Sequence, residues 1–199
     1  MEGKNISSVA SGSAKAGNRK ILIAYASSTG TTGDVAQAIG QVLCDGNTIV
    51  ETKQIRNVKD VNGYDAVIIG GAIQYDRWLP DATNFVATNQ DKLSKLPVAF
   101  FFTCLTLSRQ NEKTLRQAQV YADKLRLASP QIKPLDIGGF AGVLNLKKMP
   151  FFIGLIFRIA MTILRVREGD YRNWIAIRSW AKHIKQSMDV RFIEHATSI

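Results

Sequence analysis

The stretch Lys20-Ile-Leu-Ile-Ala-Tyr-Ala-Ser-Ser-Thr-Gly-Thr-Thr-Gly-Asp34 decides the fold of this chain. Its first half, Lys20 to Ala26, is a short apolar run between basic residues and a polar loop, the pattern of a strand buried on both faces of a parallel sheet. From Thr32 to Cys44 the apolar residues Val35, Ala38, Ile39, Val42 and Leu43 recur at helical spacing. Asp34 suits the positive end of that helix, and Asp45-Gly46 stops it. Between strand and helix lies Ser27-Ser28-Thr29-Gly30-Thr31-Thr32, rich in hydroxyls and free of lysine. An anion at such a helix start meets unpaired backbone N–H groups and the positive end of the helix dipole. The serines and threonines add neutral donors, and Gly30 allows a tight turn. Neither Gly-x-x-x-x-Gly-Lys-Ser/Thr nor Gly-x-Gly-x-x-Gly is present, which argues against a nucleotide triphosphatase and a dinucleotide site. A monophosphate suits the loop; a Ser/Thr turn that merely caps the helix is the plainer alternative.

Strands and helices keep alternating outward from this point. Thr48 to Gln54 reads as a second strand, Ala66 to Gly70 as a central third and Pro97 to Thr103 as a fourth. Pro80 to Leu93 is a helix opened by Pro80 and Asp81, and Asn111 to Ala128 is amphipathic. Gln131 to Ile137 is the expected fifth strand, and Tyr171 to Gln186 the last helix. The pattern predicts a doubly wound α/β domain at about residues 19–188. A flexible leader over residues 1–18 and a tail at 189–199 complete the expected organisation. An insertion at about 138–169 interrupts the alternation, and loops of that length in compact domains are usually functional.

With 199 residues, 46% hydrophobic and 21% charged, the chain is long enough for one well-filled core. Cys44 and Cys104 are too few for a disulfide framework, so a reducing, cytoplasmic setting is expected, and no spacing suggests a metal site. The net charge of +10 is uneven. Lys147, Lys148, Arg158, Arg165, Arg167, Arg172, Arg178, Lys182 and Lys185 face only Glu168 and Asp170 over about a fifth of the chain. Such asymmetry suggests an anionic partner, whether membrane lipid, nucleic acid or an acidic small molecule, or else simply solvated helix faces. Of these, a nucleic-acid partner is not expected.

The Ser-x-Thr-Gly-x-Thr loop after the first strand resembles the FMN phosphate loop of flavodoxins, and the resemblance runs from Lys20 to about Gln186. It implies a five-stranded parallel sheet with helices on both faces, noncovalent FMN, and two further flavin loops at strand ends. One is Gly70-Gly71-Ala72-Ile73-Gln74-Tyr75-Asp76-Arg77-Trp78; the other is Thr103-Cys104-Leu105-Thr106-Leu107. The resemblance thus implies cofactor contacts from Ser27, Ser28, Thr29, Gly30, Thr31 and Thr32, from Ala72, Ile73, Gln74, Tyr75 and Trp78, and from Thr103, Cys104, Leu105 and Thr106. Tyr75 and Trp78 are the aromatic walls on offer, with packing against a neighbouring helix as the other role for Trp78. Cys104 beside the ring reads as a buried strand-end thiol before a redox group. His183 and His195 lack partners at ligand spacing.

Within the flavodoxins the chain is most similar to the short, quinone-using protoporphyrinogen oxidases. Gly70-Gly71-Ala72-Ile73-Gln74-Tyr75 is close to that group's Gly-Ala-Ser-Ile-Arg-Tyr, with Gln74 in place of the arginine and Gly71-Ala72 in place of Ala-Ser. The basic charge and the Trp-containing last helix agree. This implies an FMN-dependent oxidoreductase passing substrate electrons to a quinone, in heme biosynthesis. A flavodoxin-type electron carrier acting between partner proteins and a non-redox interaction scaffold are the alternatives. No catalytic side chain is singled out.

On a helical wheel of Met149 to Leu164, Gly154, Arg158, Thr162 and Arg165 share one narrow stripe and apolar residues cover the rest. That run is short of the roughly twenty residues needed to span a bilayer. Contact of residues 147–167 with the inner face of the cell membrane, a homodimer interface, or a lid on the domain's own sheet would each bury it.

Overall fold

A computed structural model describes residues 19–109, 111–144 and 168–197. Five parallel strands form the main sheet: β1 (Arg19–Ala26), β2 (Thr48–Gln54), β3 (Ala66–Gln74), β5 (Val98–Cys104) and β6 (Ile137–Ala141). Their spatial order is β2-β1-β3-β5-β6, so the chain changes winding direction after β2. Two-residue β4 (Arg77–Trp78) folds back antiparallel on β3, and β7 (Val143–Leu144) pairs with β8 (Gly169–Asp170) in a separate ribbon.

Alternation along each strand divides the core into two layers. Ile21, Ile23, Ile68 and Phe101 pack with α1 (Thr31–Leu43) and α5 (Trp174–Thr197), the latter through Ile177, Ala181, Ile184 and Met188. Leu22, Ala24, Ile69, Phe100 and Phe102 face α2 (Pro80–Thr88), α3 (Gln90–Leu93) and α4 (Glu112–Ala128). Each fully buried Leu, Ile or Phe removes enough apolar surface from water to contribute about 1.5–3 kcal/mol. Both faces of the sheet are covered, as the near-continuous apolar strands require.

Three expected boundaries move. The fifth strand forms at Ile137–Ala141 rather than Gln131–Ile137. Pro134 has no N–H to give to a ladder, whereas Gly138 and Gly139 leave room for the rings of Trp180 and Phe102, which a Cβ would meet at 2.8 and 2.7 Å. The first residues assigned to the insertion therefore belong to the sheet. Asn89 divides the expected helix at Pro80–Leu93 in two. The last helix starts where the Asn173 side chain accepts from the Ala176 N–H at 3.0 Å, and it continues to Thr197 through most of the expected tail. Met188 is buried there, Asp189 pairs with Arg19, and the Arg19 guanidinium lies 4.6 Å from the centre of the Phe192 ring.

Candidate functional site

All the loops of interest lie at the carboxyl end of the sheet. The β1–α1 loop turns at Gly30, whose φ of 88° an L side chain adopts only with strain. Ser27 Oγ accepts from the Gly30 N–H at 3.0 Å, and the Thr29 and Thr31 hydroxyls lie 3.2 Å apart. Ser27 thus closes a Ser/Thr turn onto the N-cap residue, while Gly30 itself makes no side-chain cap and the first-turn N–H groups at Thr31 and Thr32 lie at the positive helix end with no intrahelical acceptor. Thr32 is fully buried, and its hydroxyl is 2.9 Å from that of Thr103 on β5. One side-chain bond thus joins two loops that lie 71 residues apart in the chain.

An acid in the first turn of α1 would repel a bound anion. Asp34 is that acid, and Arg172 neutralises it at 2.8 Å. The Arg172 side chain is only 10% exposed; it also bonds both oxygens of Asp170, reaches the Thr31 carbonyl at 3.3 Å and lies 4.4 Å from the centre of the Trp174 ring. Hydrogen bonding to Asp170 holds the guanidinium above its ordinary pKa, and the same contact holds the Asp170 carboxyl below its own. Sequence reading placed Arg172 only in a basic run, because its partners on α1 are 138 residues away.

The second loop is a two-residue hairpin. Gln74 pairs with Arg77 and Ile73 with Trp78, while Tyr75 and Asp76 at the tip have φ of 50° and 60°. These are the positive-φ conformations of a tight primed turn, normally given to Asn or Gly. Tyr75 projects 80% exposed. Trp78 points the other way. It is buried at 7% exposure, meets Phe102 edge-on with 5.7 Å between ring centres, and donates its indole N–H to the Tyr121 carbonyl at 3.1 Å. Trp78 is therefore a core residue under the hairpin, and Tyr75 is the aromatic side chain that the hairpin presents.

At the third loop, Thr103 and Cys104 are buried, and a 3-10 turn carries half-buried Leu105 and Thr106. Burial pushes the Cys104 thiol above its ordinary pKa, which keeps it a packing group and not a thiolate. The Gly142 N–H donates to the Cys104 carbonyl at 3.0 Å, and the Tyr171 N–H to the Gly142 carbonyl at 3.2 Å. The β7–β8 ribbon thus stands beside the end of β5. The apolar run at 149–164 lies outside the described residues. Among those described, no helix is long and apolar enough to cross a membrane.

A parallel sheet in this order, with a hydroxyl-rich, uncapped helix start after its first strand and two more loops at neighbouring strand ends, defines a flavodoxin-like α/β protein. The chain belongs to the flavodoxin domain family, which matches residues 22–170. Membership makes it an FMN-binding oxidoreductase. It is 29% identical over 175 residues to the protoporphyrinogen IX dehydrogenase [quinone] of Leishmania major, covering 81% of this chain and 73% of the relative. The protein of the same name from Escherichia coli K12 is 23% identical over 177 residues, covering 85% and 97%. Among solved structures, a short-chain flavodoxin associated with a non-canonical PDU bacterial microcompartment superposes with a TM-score of 0.52 at 11% identity, over 85% of this chain and 99% of that one.

Proposed function

We propose that the chain oxidises a protoporphyrinogen-type substrate and delivers the electrons to a quinone. The observation that carries this reading is similarity along most of the chain to relatives named protoporphyrinogen IX dehydrogenase [quinone]. Ser27, Ser28, Thr29, Gly30, Thr31 and Thr32 would hold the FMN phosphate by backbone N–H groups and hydroxyls. Ala72, Ile73, Gln74 and Tyr75 would flank one side of the ring and Thr103, Cys104, Leu105 and Thr106 the other, mostly through backbone. FMN chemistry supplies the two-electron exchange; the residues' part is to hold the phosphate, orient the ring and keep Tyr75 over one face. Arg172 would offset the Asp34 carboxylate beside the phosphate end.

Anaerobic mixing of FMN-loaded protein with protoporphyrinogen and a menaquinone analogue, followed by porphyrin fluorescence, tests the reading. Porphyrin should form faster than in the flavin-free control. Equal rates would favour an electron carrier instead, and a protein that takes up no flavin would favour a scaffold. Contact of residues 147–167 with a membrane surface fits a lipid-soluble acceptor and rests on sequence alone. Liposome flotation of the wild type against a combined Phe152→Asp, Ile156→Asp and Ile163→Asp variant checks it: if the wild type stays in the soluble fraction, the idea fails.

A further inference from the structure

Tyr121 lies on α4, outside all three loops, yet it bonds both the tip and the base of the hairpin. The residue is 1% exposed, with its ring edge-on to Phe102 at 5.9 Å between centres. Its hydroxyl donates to the Asp76 carboxylate at the hairpin tip, and its carbonyl accepts the Trp78 indole N–H at the hairpin base. One residue of α4 therefore ties the tip and the base of the β3–β4 hairpin, a loop that would border the flavin ring, and packs its own ring on Phe102 of β5. The hairpin tip needs such support. Tyr75 and Asp76 both sit in the left-handed region, where a non-glycine residue costs about 1–3 kcal/mol unless its surroundings hold it there. A free hairpin with this sequence would relax toward a wider turn and swing Tyr75 away.

We propose that Tyr121 is a positioning residue that holds the β3–β4 hairpin in place as a wall for the flavin ring, and so aims Tyr75. The proposal rests on the FMN reading above. Loss of the hydroxyl would leave Asp76 without its partner and free the hairpin tip, while the phosphate loop, which has its own tie between Thr32 and Thr103, would stay in place.

Amide hydrogen exchange on the flavin-free protein and FMN titration test it together. Tyr121→Phe keeps the ring in the core and removes only the hydroxyl. Its exchange should speed up about tenfold at 73–78, with residues 19–26 unchanged, and FMN should bind about tenfold more weakly, the loss of one hydrogen bond to a charged group. Riboflavin, which lacks the phosphate, should weaken by the same factor, and the visible circular dichroism of the bound flavin should change. Asp76→Asn, which keeps an acceptor for the phenol, should loosen the hairpin less. Exchange that stays unchanged at 73–78 in Tyr121→Phe, or faster exchange with flavin affinity and dichroism unmoved, overturns the proposal. Faster hairpin exchange in Tyr121→Phe when the wild type binds no FMN counts against the flavin reading and supports the role of Tyr121 in holding the hairpin.

Discussion

The two ends of the candidate site are built differently. The proposed phosphate end is one contiguous loop whose binding groups would be backbone N–H at a helix start, braced from outside by the Thr32–Thr103 bond and by Arg172. The ring end would be assembled from two loops far apart in sequence, and one of them, the hairpin, is held from a third element, α4, by Tyr121. A backbone-built anion site keeps its function through many side-chain changes, because its donors belong to the fold. A ring wall that depends on one phenol and two left-handed residues does not.

The largest expected effect comes from the residue under the hairpin. Trp78→Ala would leave a cavity between β3 and α4 and strip the Tyr121 carbonyl of its donor, destabilising the fold by about 3–5 kcal/mol. Trp78→Phe should lose closer to 1 kcal/mol, with the flavin absorbance bands unchanged, because the indole faces the core. Urea unfolding and visible spectra separate the two. If Trp78→Phe shifts the flavin bands while stability holds, the indole reaches the ring and the division drawn here breaks.

At the phosphate end, Thr31→Glu should split affinity from stability. A carboxylate in the first turn of α1 favours the helix by a few tenths of a kcal/mol, so the melting temperature of the flavin-free protein should hold or rise slightly. FMN binding should fall about a hundredfold, since the new charge competes for the N–H groups that a phosphate would use. Comparable loss of riboflavin binding would show that the loop serves the ring and not the phosphate.

This asymmetry also explains what the sequence could disclose. Thr29, Gly30 and Thr31 are neighbours, so their chemistry is written in consecutive letters, and the apolar runs of β1, β3 and β5 revealed a parallel sheet before any pairing was known. Tyr121 looked like one more apolar position on an amphipathic helix; its role needs Asp76, 45 residues away. Trp78 was read as either wall or core, and only the direction of the hairpin decides between them. Gly138-Gly139 was assigned to the insertion because glycines in a strand make sense only once the Trp180 and Phe102 rings are in place.

Arg172→Met should act mainly on the phosphate end and only modestly. The carboxylates of Asp34 and Asp170 are half-exposed and can rehydrate, which limits the stability loss to about 1–2 kcal/mol. FMN affinity should fall several-fold at low salt and less at high salt, because Asp34 is left uncancelled beside the phosphate. A pH signature accompanies it. Arg172 holds the Asp170 carboxyl below its ordinary pKa, so this pair contributes stability that is present above the unfolded value and is lost as pH falls through the lowered one. As pH falls through and below the ordinary carboxylate range the variant should therefore lose less stability than the wild type, as read from urea midpoints.

Tyr75→Gly should give the smallest change and the sharpest contrast. The wild-type side chain is 80% exposed, so little packing disappears with it, and glycine adopts a φ of 50° without strain. Against this, glycine raises the freedom of the unfolded chain. The net gain in stability should be about 0.5 kcal/mol. FMN binding should move the opposite way and weaken about threefold to tenfold, the range expected for losing one aromatic face. Riboflavin should weaken equally, because the ring wall acts on the isoalloxazine that the two ligands share. A site whose strained tyrosine lowers stability yet strengthens flavin binding has that residue for the ring; if stability rises and affinity is untouched, Tyr75 is not the wall.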